Sequence, residues 1–553
     1  MKTRKFFMIV MLVFLSGLSV QGQNWEWAKN PVDSSGGDSG GERICTDLSG
    51  NVYVIGSYSW GKYTFGNTTF IGSGAFNLFL VKYDSTGNVI WAKNAGNLGS
   101  SYQNQYSLSI DPLDNVYITG YFTSIAAHFG AFTLLNNSTN NSDFFLAKYD
   151  SSGNVLWAKS VSGECDISPS AIAVDKFGNS YITGSFTNDS IRFGSTTIYN
   201  YTIDTNEIFF VKYDSAGNAI WATSFGGHNY GFGYDVNVDS TGNVFLLGNV
   251  IDTINLGNNA TLIPGNFVAK FDSSGNAIWT KRTRSETSMS RDALGNLYLM
   301  GTWLGSSFII ETDTFINNGL EATYIVKYDS SGNKIWAKYA QGYSNTDEIN
   351  GEQISTDASG NSYITGYIDS DSINFYSNVI GYGNSGNHVL FLVKYDSSGN
   401  ALWEKSLGIN QYHERDGNGV SADAFGNVYV TGYFQTDLPF GLIILNCNGD
   451  GDMFIAKNGS EETGISEIKH QQPISILLSP NPFTTQTILT LQGSYTNPTL
   501  FIYNLLGQEV RSIKVGTNTQ LTINREQLAG GMYFYKVIDE NNNILGIGKL
   551  IAE

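Results

Sequence analysis

Two phrases alternate along this chain, and their count constrains the fold more than any other feature. The first runs from an aspartate through a glycine turn into an aromatic strand: DLSGNVYVIG from Asp47, DPLDNVYITG from Asp111, DKFGNSYITG from Asp175, DSTGNVFLLG from Asp239, DALGNLYLMG from Asp292, DASGNSYITG from Asp357 and DAFGNVYVTG from Asp423, seven copies in all. The second is KYDSTGNVIW from Lys82, with variants starting at Lys148, Lys212, Lys270, Lys327 and Lys394, six copies. A seventh arrives on schedule as MFIAK, ending at Lys457, but NGSEETG stands in place of its turn and no IW strand follows. The missing piece is at the other end of the chain, where NWEWAKN, residues 24–30, puts Trp27 in the place of Trp91 or Trp403. Self-similarity of this kind restricts the chain to a repeat architecture.

An open solenoid begins and ends on capping units, whereas a ring must join its ends. A terminal strand that completes a broken last repeat therefore predicts an all-β fold: a seven-bladed β-propeller over residues 23–458, closed by the N-terminal strand. Each blade is expected to hold four antiparallel strands, in the third AIAVD, NSYITGSF, EIFFVKYD and NAIWATS. Gly 62, Tyr 32 and Phe 33 against Pro 9 and 14% charged residues suit many short strands between glycine turns. In DSSG the Asp opens and the Gly closes a type I turn. Small residues such as Ser109, Ala173, Ser355 and Ser421 on the first strand suit the crowded centre, and the tryptophans of the fourth read as packing rather than a sugar-stacking row. The KYD lysines recur at roughly 62 residues, against about 40–50 for common propeller repeats. The surplus falls between second and third strands and between fourth and next first strand, which places long loops on one face, the expected binding face. Lys148 and Lys327, on the tight-turn face, are expected to be solvent-exposed scaffold.

The alternating D..GN.Y..G and KYD..GN..W phrases resemble the bacterial β-propeller repeats called SBBP, and more loosely NHL-type blades, over residues 24–458. The resemblance implies the propeller. It leaves function open, since that fold hosts binding, scaffolding and catalysis alike.

The repeat grammar stops after Lys457. Residues 459–473 read as a polar linker, and residues 474–553 as a small C-terminal β-sandwich of apolar-alternating strands with Asn- and Gly-rich turns. Three spaced motifs, Pro480-Asn481-Pro482, YNLLGQEV around Gly507, and LAGGMYFYKV with Gly530 and Gly531, resemble the type A C-terminal sorting domain of the Bacteroidetes type IX secretion system. That resemblance implies that the outer-membrane secretion machinery reads residues 474–553, with release or attachment to surface lipopolysaccharide as the outcome. The three glycines serve turns under any reading.

Lys2, Arg4 and Lys5 precede an apolar run from Phe6 to about Val20, a secretory signal peptide over residues 1–22. No later segment approaches the length of a membrane span, so the mature chain is expected to lack one. The net charge of -18 would repel phosphate backbones, which excludes nucleic acid as a partner. Cys45, Cys165 and Cys447 form no CxxC pair and read as thiols, with a Cys45–Cys447 bridge the alternative if the ring brings the ends together.

Asp38, Asp166, Glu348 and Glu414 each lie nine residues before the Asp of a first-phrase turn, where they could gather near the channel mouth. Such a set could hold calcium, which takes six to eight oxygens; only four of seven blades supply an acid, so no cofactor is assigned. His228 and His413 fall in long loops, and no HExxH or GxSxG motif is present. The expected function is a secreted or cell-surface module that grips a glycan or protein through Asp38, Asp166, His228, Glu348, His413 and Glu414. The alternative is a polysaccharide hydrolase or lyase resting on His228, His413, Glu414 and Asp416.

Overall fold

The computed structural model describes residues 25–33, 37–72, 76–99, 106–136, 142–161, 166–187, 189–200, 202, 205–225, 230–258, 260–342, 347–369, 372–375, 378–381, 388–407, 414–459, 475–492, 498–504, 509–515, 520–525, 528–538 and 544–552. The expected signal peptide and nearly all of the expected linker lie outside these residues. The chain divides into two compact units, Met1–Glu461 and Glu462–Glu553.

In the first unit, seven antiparallel four-stranded sheets are described. In the first blade the strands are Ser39–Thr46, Val52–Tyr58, Phe76–Tyr83 and Val89–Gly99, each beside the next. The first strands of successive blades pack against one another round a ring, and Arg415–Ala422 of the seventh meets Ser39–Thr46 of the first. Closure is as the sequence predicts. Trp25–Lys29 is the outer strand of the seventh blade, with Trp27 opposite Lys457 in the register that sets Trp91 opposite Lys82.

The repeated letters are a hydrogen-bonding device. Asp47 Oδ1 accepts the backbone N–H groups of Ser49 and Asn51, and its Oδ2 accepts from Asn51 Nδ2 at 2.7 Å and Tyr53 Oη at 3.2 Å. Lys82 Nζ comes within 3.5 Å of that same oxygen and lies over the Tyr53 ring. The Asp, the Asn four later, the Tyr six later and the Lys of the second phrase thus form one unit, which is why they travel together. Its lysine is buried, contrary to the expectation of exposed scaffold: Lys148 and Lys327 are 6% and 5% accessible and pair with Asp111 and Asp292. The ammonium lies under the turn, where the carboxylate compensates its lost hydration.

The same groups staple blade to blade. Trp157 Nε1 and Lys148 Nζ both donate to Ser215 O in the DSAG turn of the next blade, and Tyr117 Oη donates to Gly178 O in the DKFG turn of that blade. The turn glycine is required twice over. Gly217 has φ 79°, and a Cβ on it would press on Trp157. Across the closure, Trp27 Nε1 and Lys457 Nζ donate to Ser85 O, and Tyr429 Oη donates to Gly50 O. The fourth-strand tryptophans are therefore packing, as expected, with a polar role that the sequence did not disclose.

Surplus length between second and third strands is not a variable loop. Every blade carries a second, smaller hairpin there, such as Ala126–Phe129 with Phe132–Leu135 and Ser190–Phe193 with Thr196–Tyr199. Each of these two packs on the outer strand of its own blade and buries residues such as Phe129, Leu134, Ile191 and Phe193. The signal was a Phe-Gly pair at the tip: Gly66, Gly130 and Gly194 have φ 57°, 56° and 60°, which a tight hairpin requires. Cys45 and Cys447 are free thiols. Among the described residues no helix is long and apolar enough to cross a membrane.

The second unit has a three-stranded sheet, with Gln486–Gln492 at its centre, and a four-stranded sheet containing Thr499–Tyr503 and Gly531–Ile538. Leu489 and Ile523 of one share a core with Leu500, Ile502, Val537 and Leu550 of the other. The Pro480-Asn481-Pro482 segment is pinned to the last strand: Asn481 Oδ1 accepts the N–H of Ile551 at 2.8 Å, and the N–H of Phe483 donates to Ile551 O. Gly507 lies outside the described residues; Gly530 and Gly531 lead into Gly531–Ile538.

Candidate functional site

The first strands converge on the central channel, and six of them are irregular at one position. The register shifts between Gly41 and Arg43, Pro169 and Ala171, Gly233 and Asp235, Glu286 and Ser288, Gly351 and Gln353, and Gly417 and Gly419. The extra residue in each bulge is turned out of the ladder and re-aimed. In the consecutive sixth, seventh and first blades that residue is Glu352, Asn418 and Glu42, and all three line a single cavity of about 620 Å³. Gly41 before one bulge is fixed by close approach, since a Cβ there would collide with the Thr431 side chain of the neighbouring blade. The cavity continues the closure seam, and Arg43 lines both it and the narrower channel, about 220 Å³, walled by the first strands of all seven blades.

The cup is acidic. Asp38, Glu42, Glu352, Glu414 and Asp416 face it, with Arg43 as its guanidinium. Arg43 Nη1 donates to the carbonyls of Glu42 and Asn418, tying first and seventh blades together, and Asn418 Nδ2 donates to Gly41 O. Glu42 is 5% accessible and its Oε1 has no hydrogen-bond partner among the described residues. Burial pushes its carboxyl up to about 7, with repulsion from Glu352 and Asp416 adding to the shift and Arg43 opposing it. Burial also raises Glu352 and Asp38, the latter against a hydrogen bond from Tyr433. At the edge, His388 Nδ1 lies 2.9 Å from Asp416 Oδ1 and its ring stacks on Tyr367; the hydrogen bond to Asp416 raises the imidazole.

The four acids singled out from sequence divide. Asp38 and Glu414 line the cup. Asp166 instead ties its blade to the preceding one, its Oδ1 accepting from Ser142 N at 2.8 Å, and Glu348 opens the strand Glu348–Thr356 beside Glu321. His228 and His413 lie outside the described residues. Among the described residues, no group of three or more His, Cys, Asp or Glu side chains is arranged to hold a metal. Sequence reasoning missed Glu42, Glu352 and Asn418. Their signal was GERI, GEQI and GNGV at corresponding positions, where a glycine precedes a polar residue inside a strand.

Residues 478–553 match the secretion system C-terminal sorting domain family, and residues 165–190 match the SBBP β-propeller repeat. The C-terminal unit is a type IX secretion sorting domain. A domain of this family implies export through the type IX secretion system, to secretion or the cell surface. A curated relative, an uncharacterized WD repeat-containing protein of Acanthamoeba polyphaga mimivirus, is 25% identical over 71% of this chain and 35% of its own length. The chain therefore spans about a third of that relative. Among solved structures, the acylaminoacyl peptidase of Pyrococcus horikoshii is 10% identical, with 86% of this chain and 60% of that one covered at a TM-score of 0.36. A puromycin hydrolase is 10% identical, with coverages of 85% and 62% and a TM-score of 0.38. Overlaps this low say nothing about chemistry.

Proposed function

We propose that this is a secreted or cell-surface binding protein, brought to the periplasm by residues 1–22, exported through its sorting domain, and gripping its ligand in the cup where the sixth, seventh and first blades meet. The observation that carries this reading is the convergence of three bulged side chains from successive blades on one cavity, with Glu42 buried and unpartnered in its wall. A cavity of about 620 Å³ is within the range of roughly 300–1,000 Å³ that holds small ligands. The test is retention of purified residues 23–553 on immobilised polysaccharides and proteins, compared with Glu414→Trp, which would fill the cup from an exposed position. Retention lost in the variant supports the cup; retention unchanged places binding elsewhere.

A second reading, hydrolysis of a polysaccharide, is favoured by one observation. Glu42, pushed up to about 7 by burial, shares the cup with the Asp416 carboxyl group, and a carboxyl that holds its proton near neutrality suits general-acid work. New reducing ends released by the intact chain, and not by Glu42→Gln, would establish it.

A further inference from the structure

The wall of the cup carries more information than its size. Five carboxyl groups face one guanidinium, and that guanidinium already donates to two backbone carbonyls. Carboxylate clusters on a surface are ordinarily solvated, but Glu42 is not: it is 5% accessible, lines the cavity, and leaves Oε1 without a donor among the described residues. A buried oxygen of this kind is costly unless a donor reaches it, and a cationic donor answers both the missing hydrogen bond and the repulsion from Glu352 and Asp416.

The remaining lining narrows the cation. Ser39, Ser57, Asn418, Tyr433 and Gln435 offer hydroxyl and amide groups, and Phe76 is the one aliphatic or Phe side chain on the cavity wall among the described residues. An apolar stem, as on a lysine side chain, would find little to pack against. A polyhydroxylated body would find partners on several sides.

Resting on the reading of the cup as a ligand site, we propose that it binds an amino sugar bearing a free amine, with the ammonium on Glu42 and ring hydroxyls on Asn418, Tyr433 and Gln435. Glu352 and Asp416 supply the surrounding negative field, and Arg43 fixes the bulge that aims Glu42.

The experiment is calorimetric titration of residues 23–553 with three probes: tetra-glucosamine, its fully N-acetylated counterpart, and tetralysine. Tetra-glucosamine is expected to bind at least tenfold more tightly than the other two. Glu42→Gln is expected to weaken it at least tenfold, because the amide keeps the shape and hydrogen-bonding capacity but loses the charge. Thermal melting of the variant checks that it folds. Equal or tighter binding of the N-acetylated probe would overturn the ammonium inference; if that binding were lost in Glu414→Trp, the cup would stand as a site for neutral saccharide. Preference for tetralysine, full affinity in Glu42→Gln, or no heat from any probe would each overturn the inference.

Discussion

At the scale of single residues, the repeated letters each have a partner that explains them. Lys148 is the sharpest case. It lies 3.6 Å from Asp111, over the Tyr117 ring, and donates to Ser215 O of the next blade. Lys148→Glu leaves two like charges buried together and is expected to destabilise by about 3–5 kcal/mol, read by denaturant unfolding; Lys148→Met, which keeps the stem, is expected to cost less. Gly217→Ala forces a side chain into the left-handed region and against Trp157, at a cost of at least about 1 kcal/mol. Glu42 sets a pH dependence. Its folded-state proton affinity is raised to about 7 by burial, so the folded chain holds a proton that the unfolded chain has released. Stability from this group is therefore greatest below the ordinary carboxylate range, falls as pH rises towards about 7, and is level above. Asp143 and Glu207, raised by burial to about 7 and about 8, act in the same direction. Glu42→Gln is expected to melt higher than the parent at pH 8 and to show a shallower decline from pH 5, measured by melting temperature across that range.

At the scale of elements, the blade pattern was legible because each strand pair repeats its chemistry, and the closing strand was legible because a repeat cut short at one end reappears at the other. Its register confirms the reading: Trp27 opposite Lys457, and Lys457 Nζ 2.8 Å from Glu26. What the repeats hid was the small rim hairpin, whose tip carries glycine in some blades but Glu311, at φ 54°, in the fifth, so the letters drift while the backbone stays. The bulges were hidden for a related reason: one extra residue in a strand shifts side-chain direction without altering composition. The substitute for the missing seventh turn was hidden too. Trp403 Nε1 has no partner among the described residues, and Trp25 packs in its cluster with Lys405 over both rings. A chain starting at Gly37 loses these contacts and the Trp27 bond to Ser85 O, and exposes the edge of Asp452–Asn458. It is expected to melt at a markedly lower temperature, with partial recovery on adding the peptide NWEWAKNPVD; an unchanged melting curve would refute closure by this strand.

At the scale of the whole molecule, two units with separate cores divide the work, one carrying the address for export and the other the candidate binding cup. The propeller core is built blade on blade, and the C-terminal core is built between its own two sheets from residues such as Phe483, Ile502 and Val537. Each of these cores is built from residues of its own unit. Among the described residues every blade of the ring has four strands once Trp25–Lys29 is in place. Residues 478–553 match the sorting-domain family, which predicts that the export address is there. Deleting residues 474–553 is expected to leave a folded propeller with the parent's ligand affinity, retained in the periplasm. Fusing that segment to an unrelated signal-peptide-bearing protein is expected to carry it outward in a host with the type IX system. Cell fractionation and surface protease digestion read both outcomes. An undiminished surface pool after the deletion would mean that the propeller carries an address of its own. A deleted chain that fails to fold would mean that the two cores depend on each other, against the separation of their buried residues.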